Sequence, residues 1–576
     1  MKITITQQDK TPVANGGVGL LLEDVNYSLD GGLYAELLEN RNFEAKDVQH
    51  NGVVDDGGYA WEVYPAGADT TLKIKTDRPL FYENPHYLRL TTNEAGAGVK
   101  NKAYDGIYLK AKTEYKISFY ARSYNYKGTA LVGVYAGGTP LFEKKVKLKP
   151  DGQWRRYAFH IKSKTDAERA DFCFTLSKAG SIHLDCFSMM PADAIMGVFR
   201  RDLVTLLKEM EPGFLRFPDD CSEGKGGEHY LWKYSIGLAE HRKHTPNRWA
   251  GGGNSHYGQS LGIGYFEYFK LAEYLGAKPF PVVNVNLEDA AYDEESCLQD
   301  ALDVIEFAAG STNTMWGRVR AEMGHPDPFE LEYLGVAFGT SKAREKEKCK
   351  KMLEERIHEI YPKLCIVETG ANTFGSPDEL YEKANGLSRE KAVAGRYAAG
   401  LKNAPQTPEA NRFECALAEA AFLTGLEQNA DDPAMCYAPL LARVGYTQWS
   451  PVLIWFDGNS VCPTASYYVQ QLFSLHKGIF TLKAQSDEKA VYVSASERDA
   501  FTFVKVVNAG DETLEAEVEG DYDFGALTQI IRLSGELTDY NALHEPQKIK
   551  PERLAPTGER TLTLAPHSFQ VLVFKK

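Results

Sequence analysis

From about residue 192 to 475 the chain alternates amphipathic helical stretches with short apolar runs, and this alternation constrains its fold more than any other feature. Asp202–Met210 has helical spacing and leads into Gly213-Phe214-Leu215-Arg216-Phe217-Pro218. Tyr265–Leu275 leads into Phe280-Pro281-Val282-Val283-Asn284, and Ala301–Ala309 precedes an apolar run at 331–337. A long charged helix, Ser341–Tyr361, precedes Leu364-Cys365-Ile366-Val367. Helix–strand units repeated at this length bury their strands on both faces, which predicts a parallel sheet, most simply a (β/α)8 (TIM) barrel.

The flanks read differently. Residues 45–190 carry period-two segments such as Thr71–Lys75, Tyr115–Arg122 and Arg156–Ile161, separated by Asp, Gly and Asn turns. That texture predicts an antiparallel β-sandwich. Residues 476–576 return to short strands at 490–495, 501–507 and 570–574, a second sandwich that the N-terminal strand within 1–13 would complete. Residues 14–44 read as a strand at 18–22 followed by a helix at Leu33–Leu38. The expected order is therefore N-terminal strand (1–13), first barrel strand and helix (14–44), inserted sandwich (45–190), remainder of the barrel (191–475) and C-terminal sandwich (476–576).

Composition narrows the function classes. The net charge of -14 argues against nucleic acid as partner, because binding phosphates needs a basic face. The 12% aromatic content suits sugar-binding clefts and sandwich cores equally. Nine cysteines with no CxxC pair predict reduced thiols and a cytoplasmic location, and no metal site or cofactor. The first residues show no apolar leader segment, although a protein trimmed of its leader would read the same. No run of 18 apolar residues occurs, so no membrane partner is expected.

Long ordered stretches then carry a resemblance. Leu22-Glu23-Asp24-Val25-Asn26-Tyr27, Gly31–Glu44, Pro212–Pro218, Gly262–Tyr268, Trp316–Pro326, Ala416–Glu427 and Ser466–Phe473 resemble the family 51 glycoside hydrolases, the α-L-arabinofuranosidases, in the long form with an inserted carbohydrate-binding-like sandwich. The resemblance implies a retaining mechanism in which one glutamate protonates the leaving oxygen and a second, about 5 Å away, attacks the anomeric carbon. It also implies carbohydrate as the partner and a homo-oligomer as a common assembly.

The family's two catalytic motifs are altered. The acid belongs in Gly-Asn-Glu at the end of the fourth strand, where this chain has Ala337-Phe338-Gly339. The nucleophile belongs in Gly-Glu-Tyr-Ala on the seventh, where this chain has Gly395-Arg396-Tyr397-Ala398. A His-Tyr pair after the sixth strand falls on Asn372-Thr373, and a glycine pair after Arg-Phe-Pro on Asp219-Asp220. Glu23, Arg216 and Cys221 fall on positions that line the family's arabinose pocket.

Glycine holds no proton, and arginine stays protonated, so neither replacement does the missing job. Asp219 or Asp220 would neutralise Arg396 across the barrel mouth. The same two acids and Glu368 are also candidates for relocated carboxylates, although acids in strand-end loops are more often structural or solvated. Glu288 and Asp289 belong to the same class. His256 and Tyr257 lie in a Gly-rich loop that could reach a ligand. His229, His241 and His244 lack metal-like spacing and read as surface histidines. Trp249 and Trp449 read as core aromatics before sugar platforms.

Three functions follow in order: a sugar-binding or regulatory homologue without the family's hydrolysis; an active glycosidase with relocated carboxylates acting on plant-type or other glycans; and an ordinary arabinofuranosidase, which would require a different placement of both motifs.

Overall fold

The computed structural model describes residues 1–12, 18–45, 47, 58–218, 232–251, 255–284, 294–338, 343–369, 371–386, 395–400, 405–429, 436–556 and 560–576, with side chains left out at 8, 9, 11, 12, 343, 345, 371–375, 385, 386, 395–397 and 429. Eight parallel strands form the central sheet: Gly19–Leu21, Phe214–Phe217, Lys278–Asn284, Tyr333–Ala337, Cys365–Glu368, Ala371–Gly375, Gly395–Ala399 and Cys436–Tyr437. Numbered along the chain from first to eighth, they neighbour one another in the order 5-4-3-2-1-8-7-6. Sequential neighbours, all parallel, give the (β/α)-barrel topology.

Alternation along these strands sorts their side chains. Leu21, Phe214, Phe280, Tyr333 and Cys436 form one cluster inside the barrel. Leu20, Leu22, Leu215, Leu334 and Val336 face outward into the helix layer. The outer layer comprises α1 (Arg201–Glu209), α2 (Tyr265–Leu275), α3 (Glu294–Ala309), α4 (Met315–Glu322), α5 (Ala343–His358), α6 (Pro377–Gly386), α7 (Phe413–Asn429) and α8 (Ala465–Leu475). Their ends are set by local chemistry. Thr464 caps α8 by accepting from Tyr467 N at 3.2 Å. Glu267, in the first turn of α2, accepts from Gly264 N at 2.8 Å. Gly276 ends α2 with φ +76°, a conformation that costs glycine little.

Two departures from the expected barrel matter. No helix forms at Leu33–Leu38. The Ala35 N–H donates to Val198 O at 2.8 Å and the Leu37 N–H to Met189 O at 3.0 Å, so these groups are spent on the segment that leaves the sandwich rather than on helical carbonyls. Leu33 packs in the barrel's outer core while Leu38 packs in the sandwich core. One short segment thus serves two cores, which a helix of this length could not do. The sandwich is therefore inserted between the first strand and α1, the helix that leads into the second.

The second departure lies between the fifth and sixth strands, which only Thr369 and Gly370 separate in the chain. A crossover between side-by-side parallel strands takes a dozen or more residues. The two are instead successive stretches that close the sheet from opposite sides. Cys365–Glu368 pairs with Tyr333–Val336 of the fourth strand, and Ala371–Gly375 pairs with Gly395–Ala399 of the seventh. No helix crosses over between them.

The inserted sandwich has a six-stranded and a five-stranded sheet around Trp61, Phe119, Phe172, Phe174 and Phe187. The C-terminal nine-stranded sheet includes the N-terminal strand Lys2–Pro12, which lies antiparallel to Phe480–Ser486 and parallel to Leu514–Gly520. No helix among the described residues is long and apolar enough to cross a membrane.

Candidate functional site

At the C-terminal end of the first strand the chain turns through Asn26 and Tyr27, both with positive φ (60° and 55°). The strain is held by hydrogen bonds. Asn26 Oδ1 accepts from Gln448 N and Trp449 N, each at 2.7 Å, and its Nδ2 donates to Trp449 O at 2.6 Å. Gln448 Oε1 accepts from Asn26 N at 2.7 Å. One buried asparagine thereby fixes the loop that follows the eighth strand against the end of the first, and Gln448 and Trp449 stand at the barrel mouth.

An aromatic wall continues from there. The Tyr27 ring stacks on Tyr257 with centroids 3.9 Å apart and meets Tyr446 edge-on at 5.0 Å. Trp249 and Trp449 lie 5.9 Å apart at 35°. Both tryptophans are half-buried, and Trp249 packs against the buried cluster of Tyr27, Ala250 and Tyr257.

Beneath this wall the acids of the first-strand loop are buried together. The Tyr257 hydroxyl donates to Asp24 at 2.6 Å, and Leu29 N donates to the same oxygen at 3.3 Å. Asp30 accepts from Ser260 N and from Ser260 Oγ, both at 2.6 Å. Burial, with repulsion from Asp30 adding to it, pushes Asp24 up to about 8, against the hydrogen bonds that lower it. Burial likewise pushes Glu39 up to about 8 and raises Glu36 and Asp30. None of these acids was singled out from sequence. The available signal was the density of acids within the otherwise apolar stretch 20–44, which buries nearly every residue.

The sequence candidates divide as follows. Gly339, Asp219, Asp220, Cys221, Glu288, Asp289 and His229 lie outside the described residues, as does the side chain of Arg396. The Arg396 backbone pairs with Asn372 on one side and Cys436 on the other. Glu23 and Arg216 are both buried, at 4% and 0% exposure. Arg216 reaches into the barrel, its guanidinium carbon 6.0 Å from the Phe280 ring centre and Nη1 4.0 Å from Cys436 Sγ.

Glu368 alternates with Val367, which packs on the cluster inside the barrel. Glu368 thus faces the helix layer, where it meets Lys350 of α5 at 3.9 Å. That orientation removes it from the relocated carboxylates. His256 stacks on Tyr59 at 4.0 Å, and its Nε2 lies 3.9 Å from Asp47. His241 is exposed against Phe81, and His244 is half-buried. Among the described residues no group of three or more His, Cys, Asp or Glu is placed to hold a metal ion.

The described part of the mouth thus carries a buried guanidinium, aromatic faces and an amide-fixed loop. Comparison with known proteins gives this surface a family context. Residues 206–397 match the alpha-L-arabinofuranosidase 1 domain and residues 388–568 the alpha-L-arabinofuranosidase C-terminal domain. The chain is 32% identical over 508 residues to an extracellular exo-alpha-L-arabinofuranosidase of Streptomyces chartreusis, a match covering 80% of this chain and 59% of that protein's length. It is 30% identical over 627 residues to alpha-L-arabinofuranosidase 2 of Arabidopsis thaliana, covering 99% of this chain and 90% of the plant protein. An arabinose-bound GH51 α-L-arabinofuranosidase, MgGH51, matches the structure with a TM-score of 0.88 at 25% identity over 100% of both chains. The arabinose complex of the Thermotoga maritima enzyme shares the fold at a TM-score of 0.52 and 16% identity, covering 66% of this chain and 90% of that one.

Proposed function

This chain belongs to the GH51 α-L-arabinofuranosidase family, and we propose that it is a carbohydrate-binding member that no longer performs the family's hydrolysis. One observation carries the reading: the residues that fall on the acid and nucleophile positions are Gly339 and Arg396. The sheet order supports the placement, since Tyr333–Ala337 is the fourth strand and Gly395–Ala399 the seventh.

The consequence is chemical. A hydrogen at 339 cannot protonate a leaving oxygen. A guanidinium at 396 is neither nucleophile nor base, and its charge opposes an oxocarbenium-like transition state. General acid catalysis alone contributes roughly 10²–10⁴-fold. With the covalent step also gone, the family's rate enhancement collapses. What persists is binding chemistry, with Glu23 and Arg216 on positions that line the family's arabinose pocket. The nine cysteines include no CxxC pair, which supports a reducing, cytoplasmic setting.

The test is a release assay on p-nitrophenyl α-L-arabinofuranoside together with calorimetry on L-arabinose. The expected result is no release above buffer, with arabinose binding that weakens in Arg216→Met. Efficient release would overturn the reading. Release abolished by Asp219→Ala or Asp220→Ala would establish relocated carboxylates, and release indifferent to both would establish ordinary family chemistry.

A further inference from the structure

A cavity of about 510 Å³ opens between the inserted sandwich and the barrel, and neither Glu23 nor Arg216 lines it. Its walls come from the segment after the first strand, the sandwich, the start of α1 and the turns after the eighth strand. The volume falls within the range of small-molecule sites, about 300–1,000 Å³.

Its lining has a particular chemistry. Four tyrosines, Tyr34, Tyr104, Tyr108 and Tyr115, contribute aromatic surface. Glu36 lines the same space at only 5% exposure. Its Oε1 accepts from Met189 N at 2.8 Å and Leu38 N at 3.1 Å, while Oε2 meets no donor within bonding distance among the described residues. The Ser188 hydroxyl acts on the same carboxyl, lowering its pKa against the larger raising effect of burial. A buried carboxylate oxygen without a donor is costly, and a ligand that supplies one recovers that cost.

Arg443, at 4% exposure, lies on another wall. It donates to the main-chain carbonyls of Gly31, at 2.8 Å, and Tyr104. A guanidinium has five N–H donors, so these two bonds leave capacity unused.

We propose that this cleft is a second carbohydrate site, taking a neutral mono- or disaccharide, separate from the barrel mouth. A sugar hydroxyl donates to Glu36 Oε2 and another accepts from Arg443, while the apolar ring faces lie on the tyrosines. The other ligand classes fit less well. A phosphate would find Arg200 and Arg201 already paired with Asp202 and Asp193, and would meet the Glu36 carboxyl on the same walls. A wholly apolar ligand would leave Glu36 Oε2 and the unused Arg443 donors as they are, with nothing gained from either. The proposal does not depend on whether the barrel mouth hydrolyses anything.

The test is calorimetric titration of xylobiose and of 1,5-α-L-arabinobiose into the full chain and three variants. Thr205→Trp and Ala194→Trp fill the cleft from its rim. Glu36→Gln removes the charged acceptor, and melting curves confirm that each variant folds. All titrations are run in an Arg216→Met background, which disables the barrel mouth. Saturable binding of either disaccharide that survives Arg216→Met and weakens by at least about tenfold in either tryptophan variant is the expected result. Absence of binding in the Arg216→Met background overturns the proposal, and so does binding that both tryptophan variants and Glu36→Gln leave unchanged. Either failure leaves the reading of the barrel mouth standing, because that reading is tested by nitrophenyl release and by the Arg216 dependence of arabinose binding.

Discussion

The Tyr257 hydroxyl donates to the Asp24 carboxyl at 2.6 Å across 233 residues of chain. The same hydroxyl accepts from Tyr27 N at 3.0 Å, and the ring stacks on Tyr27. One side chain therefore satisfies a buried acid and a strained turn at once. Tyr257→Phe keeps the ring and deletes the hydroxyl, which takes the acceptor from Tyr27 N and leaves Asp24 with the longer bond from Leu29 N. The expected cost is about 1–3 kcal/mol. Urea melts of the two proteins check it, and a midpoint shift near zero would show that the turn re-forms its bonds elsewhere.

Buried acids also set a pH dependence. Asp24 and Glu39 are pushed up to about 8, and Glu419 to about 7 by burial inside α7. A carboxyl raised on folding contributes stability that is fully present below its unfolded pKa and is lost as pH rises through the folded one. Stability should therefore decline between about pH 4.5 and pH 8 on account of these groups. Glu419 Oε1 accepts from Ala399 N at 2.9 Å, a bond that glutamine keeps. Glu419→Gln should raise stability at pH 8 by on the order of 2 kcal/mol and leave it unchanged at pH 4. Thermal melts at the two pH values check both halves of this expectation.

The orientation of Glu368 gives a negative prediction. It faces Lys350 at 3.9 Å, and its side chain is 42% exposed. Exposed pairs of this kind are worth about 0–1 kcal/mol. Glu368→Ala should change stability by less than about 0.5 kcal/mol and leave arabinose affinity unaltered. A calorimetric titration in which this substitution weakens binding would place Glu368 at the mouth after all.

The legible and illegible parts of this chain divide on physical lines. Helix Tyr265–Leu275 could be read to the residue because its apolar face, the Gly264 entry and the Gly276 exit agree with one another. Leu33–Leu38 carried helical spacing and formed no helix, because spacing reports that residues are buried and not that they share one core. The joined fifth and sixth strands escaped notice since Cys365–Gly375 reads as strand throughout, and only the pairing shows that its halves have different neighbours. At the site, Arg216 could be found because its motif is contiguous. Glu36 and Arg443 could not, since they are 407 residues apart and become neighbours of one cavity only through the sandwich insertion.

The junction between barrel and C-terminal sandwich supplies a last prediction. Lys505 is completely buried on the strand Phe501–Asn508, and its ammonium meets Glu427 of α7 at 2.5 Å. Ser494 and Ser496 donate to the two oxygens of that carboxylate at 2.5 and 3.1 Å. Burial lowers the Lys505 pKa, and Glu427 opposes the shift. Removing only one member leaves an uncompensated charge at the junction, which typically costs about 3–5 kcal/mol. Replacing both by apolar residues removes that penalty and leaves the two serine hydroxyls to find other acceptors. Glu427→Leu alone should therefore destabilise the chain more than the double variant Glu427→Leu/Lys505→Met. Equilibrium denaturation of the two single variants and the double one gives the coupling directly. A double variant no better than the worse single one would mean that the serine bonds, and not the ion pair, hold the sandwich to α7.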